Sequence, residues 1–198
     1  LQLAQIFQSI FPLFEYHKKE SIKVLLEYPI LIDRNPSRRI IDLIIVHSEG
    51  DLMNYYPIEI KCFRELTRHG NGKKRGAQNL GMFDYWCDVE NIEQYCNHSN
   101  YLFGTQLTLT DDEYYVYGKH LGNQTSTFST NIWREKIVGE LNCPIANRSG
   151  SIQLKGEYSM QKWKKKGSFY FIHQEFVSSE SYVDIPPKQN LNGANNLN

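Results

Sequence analysis

The chain has 198 residues, of which 40 % are hydrophobic and 13 % aromatic, an ordinary globular composition that can build one sizeable core. Its 22 basic side chains balance 22 acidic ones, so only local patches can argue for a nucleic-acid partner. No apolar run is long enough to cross a bilayer, and the opening residues lack a basic leader, so the expectation is a cytoplasmic protein with no membrane partner. Cys62, Cys87, Cys96 and Cys143 form no Cys-x-x-Cys pair, which excludes the usual zinc and iron–sulfur patterns. Cys62 continues a predicted strand, where a reduced thiol is expected to pack as a small hydrophobe.

Leu3, Ile6, Phe7, Ile10 and Phe14 recur at helical spacing and predict an amphipathic helix over residues 2–19, with Pro12 as a kink or shifted start. Ile22 to Ile32 reads as an apolar strand, ended by the turn cluster Asp33-Arg-Asn-Pro-Ser37. Arg39–Val46 and Tyr55–Cys62 are rich in β-branched and aromatic residues and read as two strands of a hairpin. Ile41, Leu43 and Ile45 are expected on one face, with Ile40, Ile44 and Val46 on the other, as in a sheet covered on both sides. A basic, glycine-rich loop follows at Thr67–Gly76, then a helix from about Ala77 to Cys96 and a returning strand from Tyr101 to Thr108. Beyond residue 111 the pattern predicts a short strand over Glu113–Tyr117, a helix over Asn131–Leu141 and a strand over Ser168–Val177. The polar, Asn-rich end over 184–198 reads as a disordered tail.

Gly50-Asp51 sits at the hairpin centre and suits a tight turn. A hairpin symmetric about it sets Asp42 directly opposite Glu59, where side chains lie roughly 4.5–5.5 Å apart at Cβ and like charges repel. Lys61 shares the face of Glu59 because strand side chains alternate. Two carboxylates and an ammonium bracketed by isoleucine need a compensating partner, and a divalent cation is the simplest one. An oxygen donor set points to Mg²⁺ or Mn²⁺ rather than zinc.

The order helix, strand, hairpin with Asp…Glu-Ile-Lys, basic loop, helix, strand over residues 2–108 resembles the PD-(D/E)XK nuclease superfamily. The motif rests on Asp42 and Glu59-Ile60-Lys61, with Ile41 where the family pattern has proline. The resemblance implies an α/β fold: a restriction-endonuclease-like, three-layer α/β/α core with a central mixed sheet. One nuclease domain is expected over 1–183, with a C-terminal α+β elaboration from about 109. It also implies that Asp42, Glu59 and the Ile60 backbone carbonyl bind Mg²⁺, while Lys61 positions or activates the attacking water. Glu15 is the preferred additional acid because it falls within the predicted helix, with Glu20 and Glu27 as alternatives. Gln78 stands near the position of a Gln-x-x-x-Tyr motif of RecB-like relatives, but Met82 occupies the tyrosine position.

Lys73-Lys74-Arg75 and Lys162-Trp-Lys164-Lys165-Lys166 are local basic patches suited to a DNA backbone, with Trp163 available to stack or pack. The expected activity is Mg²⁺-dependent hydrolysis of DNA phosphodiester bonds, most like a restriction-type or defence-related endonuclease, with a homodimer needed to cut both strands. A repair, recombination or transposition nuclease and a non-catalytic nucleic-acid-binding relative are the alternatives.

Overall fold

The computed structural model describes residues 2–30, 39–65, 76–98, 100–118, 125–144 and 150–177. The chain runs α1 (Gln2–Ile10), a 3₁₀ turn (Phe11–Phe14), β1 (Glu20–Ile30), β2 (Arg39–Glu49), β3 (Leu52–Phe63), α2 (Gln78–Tyr95), β4 (Phe103–Thr110) and α3 (Tyr114–Tyr117). The second half adds β5 (Ile137–Cys143), β6 (Gly150–Tyr158), β7 (Lys164–Lys166) and β8 (Phe169–Val177). A six-stranded sheet has the order β1-β2-β3-β4-β8-β7, and β5-β6 form a separate ladder. β3 and β4 are parallel, joined through α2, while the other neighbours are antiparallel. The fold is therefore α/β with a mixed sheet.

The central hairpin follows from its turn. Glu49 pairs with Leu52, leaving Gly50-Asp51 as a two-residue loop, and Gly50 adopts φ +60°, a conformation glycine enters without steric cost. Leu43 and Ile45 join Ala4 and Val24 in the cluster under α1, whereas Ile44 and Val46 join Ile92 and Tyr95 of α2. The expected alternation breaks at one place. Ile41 joins Ile44 rather than Leu43, and Ile40 is 55 % exposed. On β1, Tyr28 and Ile30 join the α2 cluster although Val24, of the same parity, joins the α1 cluster. Ladder pairing passes from Leu26–Leu43 to Tyr28–Ile41, skipping Glu27 and Asp42, and Glu27 has φ +51°. A left-handed residue turns the strand over, so the two strands exchange faces at Glu27 and Asp42.

The second half departs from expectation in two places. Glu113–Tyr117 is rich in aromatic residues, yet Tyr114–Tyr117 is a helical turn: Asp112 Oδ1 accepts the Tyr114 amide hydrogen, and Asn131 Nδ2 donates to the Tyr114 and Tyr115 carbonyls. Local capping outweighs strand propensity there. The predicted helix over 131–141 is instead a loop leading into β5. Ile137 and Leu141 are both buried and four apart, which mimics helical spacing, but they belong to one strand that alternates in and out from Ile137 to Cys143, with Gly139 at the inward position between them.

β5-β6 covers α2. Glu93, 1 % exposed, accepts from the Lys155 and Gly156 amides and from the Tyr158 hydroxyl, while Glu90 accepts from the Gln153 amide. With apolar contacts on several sides, α2 carries buried residues nearly all round, as a central helix must. Trp163 belongs to this core, and its indole donates to the Thr130 carbonyl at 2.8 Å, so it packs rather than offering an open stacking face.

Candidate metal centre

Asp42 sits where β2 loses its backbone partners on both sides. Toward β1 the Glu27–Asp42 position is unpaired, and toward β3 the ladder ends at Leu43–Ile58. The strands part there, and Asp42 Oδ2 takes over the freed Ile60 amide hydrogen at 2.8 Å. The carboxylate is exposed rather than enclosed by isoleucine as the flanking sequence suggested. It lines a cleft of about 390 Å³ with Ala4, Leu26, Glu27 and Ile60.

Glu59 has the opposite environment. It is 5 % exposed and accepts the Tyr95 hydroxyl hydrogen at 2.8 Å. Burial pushes its carboxyl up to about 8, the Tyr95 hydrogen bond opposes the rise, and the charges of Asp42 and Asp88 add to it. Burial, with the neighbouring carboxylates adding to it, keeps the proton on Glu59.

Lys61 lies two residues on and reaches Asp88 of α2, with Nζ 2.8 Å from Oδ2, off the angles of a regular hydrogen bond. Burial works against the Lys61 ammonium, but the Asp88 charge, helped by Asp84 and Asp42, outweighs it and raises its pKa. Burial likewise lifts Asp88 to about 6 against the pull of Lys61. The polar face continues into β4, whose Gln106 and Thr108 are register neighbours of Glu59 and Lys61 and are fully buried.

Of the three expected additional acids, only Glu27 lines the Asp42 cleft. Glu15 lies beyond α1 and the 3₁₀ turn, because the helix stops before Pro12, and its Oε1 accepts the Ile22 amide hydrogen. Ile22 is five residues before Glu27, roughly 16 Å along the strand. Glu20 accepts from the Tyr16 amide and pairs with His47 at 2.9 Å, contacts that lower its carboxyl pKa. Gln78 opens α2 and contacts Asp112 at 3.4 Å, ten residues and roughly 15 Å along the helix from Asp88. Neither Glu15 nor Gln78 joins the cluster.

The basic patches fare differently. Lys73, Lys74 and Arg75 lie outside the described residues. Lys164, Lys165 and Lys166 form the exposed edge strand β7, where lysines also discourage edge-to-edge pairing. Lys165 stands 4.8 Å over the Tyr170 ring and 3.6 Å from Glu113. Cys62 is exposed, contrary to its expected burial.

A larger cleft of about 640 Å³ lies near Asp111, Asp112 and Glu113. Their carboxylates are engaged by Arg64, by the Tyr114 amide and by the Tyr170 hydroxyl respectively. The Asp42–Glu59–Lys61 cluster is therefore the better chemical candidate, even though its cleft is smaller.

Asp88 and Tyr95 were missed from sequence because their partners lie on another element. The available signal was a polar row, Asp84-x-x-x-Asp88, on a helix otherwise expected to be core. Among the described residues, no group of three or more His, Cys, Asp or Glu side chains is already drawn together as a metal cage. The chain matches no protein-family model, no curated protein and no solved structure.

Proposed function

We propose that the chain is a metal-dependent nuclease that hydrolyses DNA phosphodiester bonds, most similar to a restriction-type or defence-related endonuclease of the PD-(D/E)XK superfamily. The carrying observation is the cluster itself: an exposed Asp42 at a break in the sheet, a buried Glu59 on the next strand within reach of its charge, and Lys61 two residues on. The order α1-β1-β2-β3-α2-β4, with an antiparallel hairpin followed by a parallel strand, supports the reading, as does the division of β2 side chains between the α1 and α2 clusters. That division also favours a helix–sheet–helix core.

The residues fit a hard divalent cation. Their donors are carboxylate oxygens, and such an ion would offset the burial, and the lesser push of the Asp42 and Asp88 charges, that together keep Glu59 protonated. Asp42 and Glu59 would hold it, with Glu27 as the further carboxylate and the Ile60 carbonyl as a backbone donor. When bound, the ion would supply Lewis-acid stabilisation of the phosphate and a more acidic water.

Asp42 is already oriented by the Ile60 amide, and Glu59 by Tyr95, so neither need be immobilised during the reaction. Lys61 offers a positive charge beside them for the phosphate oxygens as negative charge grows. Cleavage of both strands with one such site per chain calls for two chains.

Incubation with supercoiled and linear DNA in Mg²⁺, Mn²⁺ or EDTA tests the reading. Cutting should require metal and fall at least about a hundredfold, to a measurable residual rate, in Asp42→Ala and Lys61→Ala, with DNA binding retained. Metal-independent cutting, or full activity in both variants, would overturn it. Binding without cutting by the unaltered chain would identify a non-catalytic relative instead.

A further inference from the structure

A lysine with four rotatable carbons is a poor catalyst unless something fixes its ammonium. Lys61 is fixed from across the domain core: its Nζ lies 2.8 Å from Asp88 Oδ2, and the two side chains are only 31 % and 12 % exposed. Asp88 has a firm base, since Tyr85, Val89 and Ile92 around it on α2 are all at most 2 % exposed. Lys61 is anchored equally well by its strand, with Thr108 beside it on β4 fully buried. Asp84 and Asp42 lie within electrostatic reach, so Lys61 has other acids to turn to if Asp88 is lost.

We propose that Asp88 is a positioning residue for the cleavage reaction, holding the Lys61 ammonium at the place from which it meets the phosphate. The inference rests on the nuclease reading and adds a residue from α2 to a machinery otherwise built on the β2-β3 hairpin. Asp88 touches no substrate. Its contribution passes through Lys61, and without it the ammonium swings toward Asp42 and Asp84.

The test is a double-mutant cycle on the full chain, with kcat and KM measured on supercoiled DNA in Mg²⁺ and thermal melting followed in parallel. Asp88→Asn should lower kcat roughly ten- to hundredfold, the range expected for a misplaced catalytic group, while leaving KM unchanged. In a Lys61→Met background the same substitution should cost nothing further, since its effect runs through Lys61. Asp88→Glu, which keeps the charge, should recover part of the lost kcat. If Asp88→Asn melts below the assay temperature, Asp88→Glu carries the test, with kcat reduced and KM unchanged.

Wild-type kcat in Asp88→Asn, or the same loss with and without Lys61, overturns the inference and leaves the nuclease reading intact. An unaltered chain that cuts no DNA overturns the nuclease reading, and this inference with it.

Discussion

The Tyr95 hydroxyl donates to Glu59 Oε1 at 2.8 Å, tying the last turn of α2 to the most buried carboxyl of the sheet. This bond is the main force holding down a carboxyl that burial pushes to about 8. Tyr95→Phe should therefore raise the Glu59 pKa further and cost about 1 kcal/mol of stability, the usual worth of one such bond. It should also weaken Mg²⁺ binding, measured by calorimetry at pH 7, because the ion must displace a more tightly held proton. Unchanged affinity would remove Glu59 from the ligand set.

The pH dependence of stability has a definite sign. The folded Glu59 pKa of about 8 lies above the ordinary 4.5, so the folded chain binds more protons than the unfolded one between those values. This group's contribution is fully present below about 4.5 and is lost as pH rises toward 8. Denaturant titrations in EDTA should show that decline, Glu59→Gln should flatten it, and Mg²⁺ should restore stability at the alkaline end. Asp88, raised to about 6, adds a smaller decline over its own range.

Asp42→Asn keeps the shape of the side chain but loses its charge. Melting should shift little, because an amide oxygen can still accept the Ile60 hydrogen and the residue is exposed. Cleavage should fall at least about a hundredfold, as when a preorganised charge is removed from a reaction centre. A large melting shift with retained cutting would make Asp42 structural.

Glu27 carries φ +51° in a strand, a conformation costing on the order of 1–3 kcal/mol for a residue with a Cβ. Glu27→Gly should therefore melt at or above Glu27→Ala. At Leu25, an exposed position of the same strand with ordinary backbone, glycine should instead fall below alanine. The same order at both positions would argue against a left-handed Glu27.

Trp163 separates packing from DNA stacking. Buried and bonded to the Thr130 carbonyl, it should cost about 3–5 kcal/mol on truncation to alanine, seen as a lower denaturation midpoint. Trp163→Phe, which loses the indole donor, should leave DNA affinity unchanged. A drop in affinity without loss of stability would return Trp163 to the interface.

The hairpin was legible because its information is local. Gly50-Asp51 sets the turn, β-branched runs set the strands, and the ladder runs as far as Leu43–Ile58, the pair next to Asp42 and Glu59. α2 was legible almost to the residue, while the first helix ended early at Ile10, ahead of Pro12. The break at Glu27 was not legible, since nothing in Leu-Leu-Glu-Tyr marks a left-handed residue. Asp88 and Tyr95 could not be assigned partners from sequence because their contacts depend on how α2 lies on the sheet. The β5-β6 ladder was lost because Gly139 brings no apolar side chain to its inward position, which leaves Ile137 and Leu141 looking helical.

Asp42 stands eight residues before Gly50, and Glu59 eight after Asp51, so the turn acts as a ruler for the site. Lengthening either arm by a single residue would offset the carboxylates by one position and rotate one of them to the wrong side. A compensating residue on each arm would bring them back into line. Changes in length at the tip of this hairpin should therefore be tolerated only as matched pairs, although the tip lies roughly 25 Å along the strands from the chemistry it measures out.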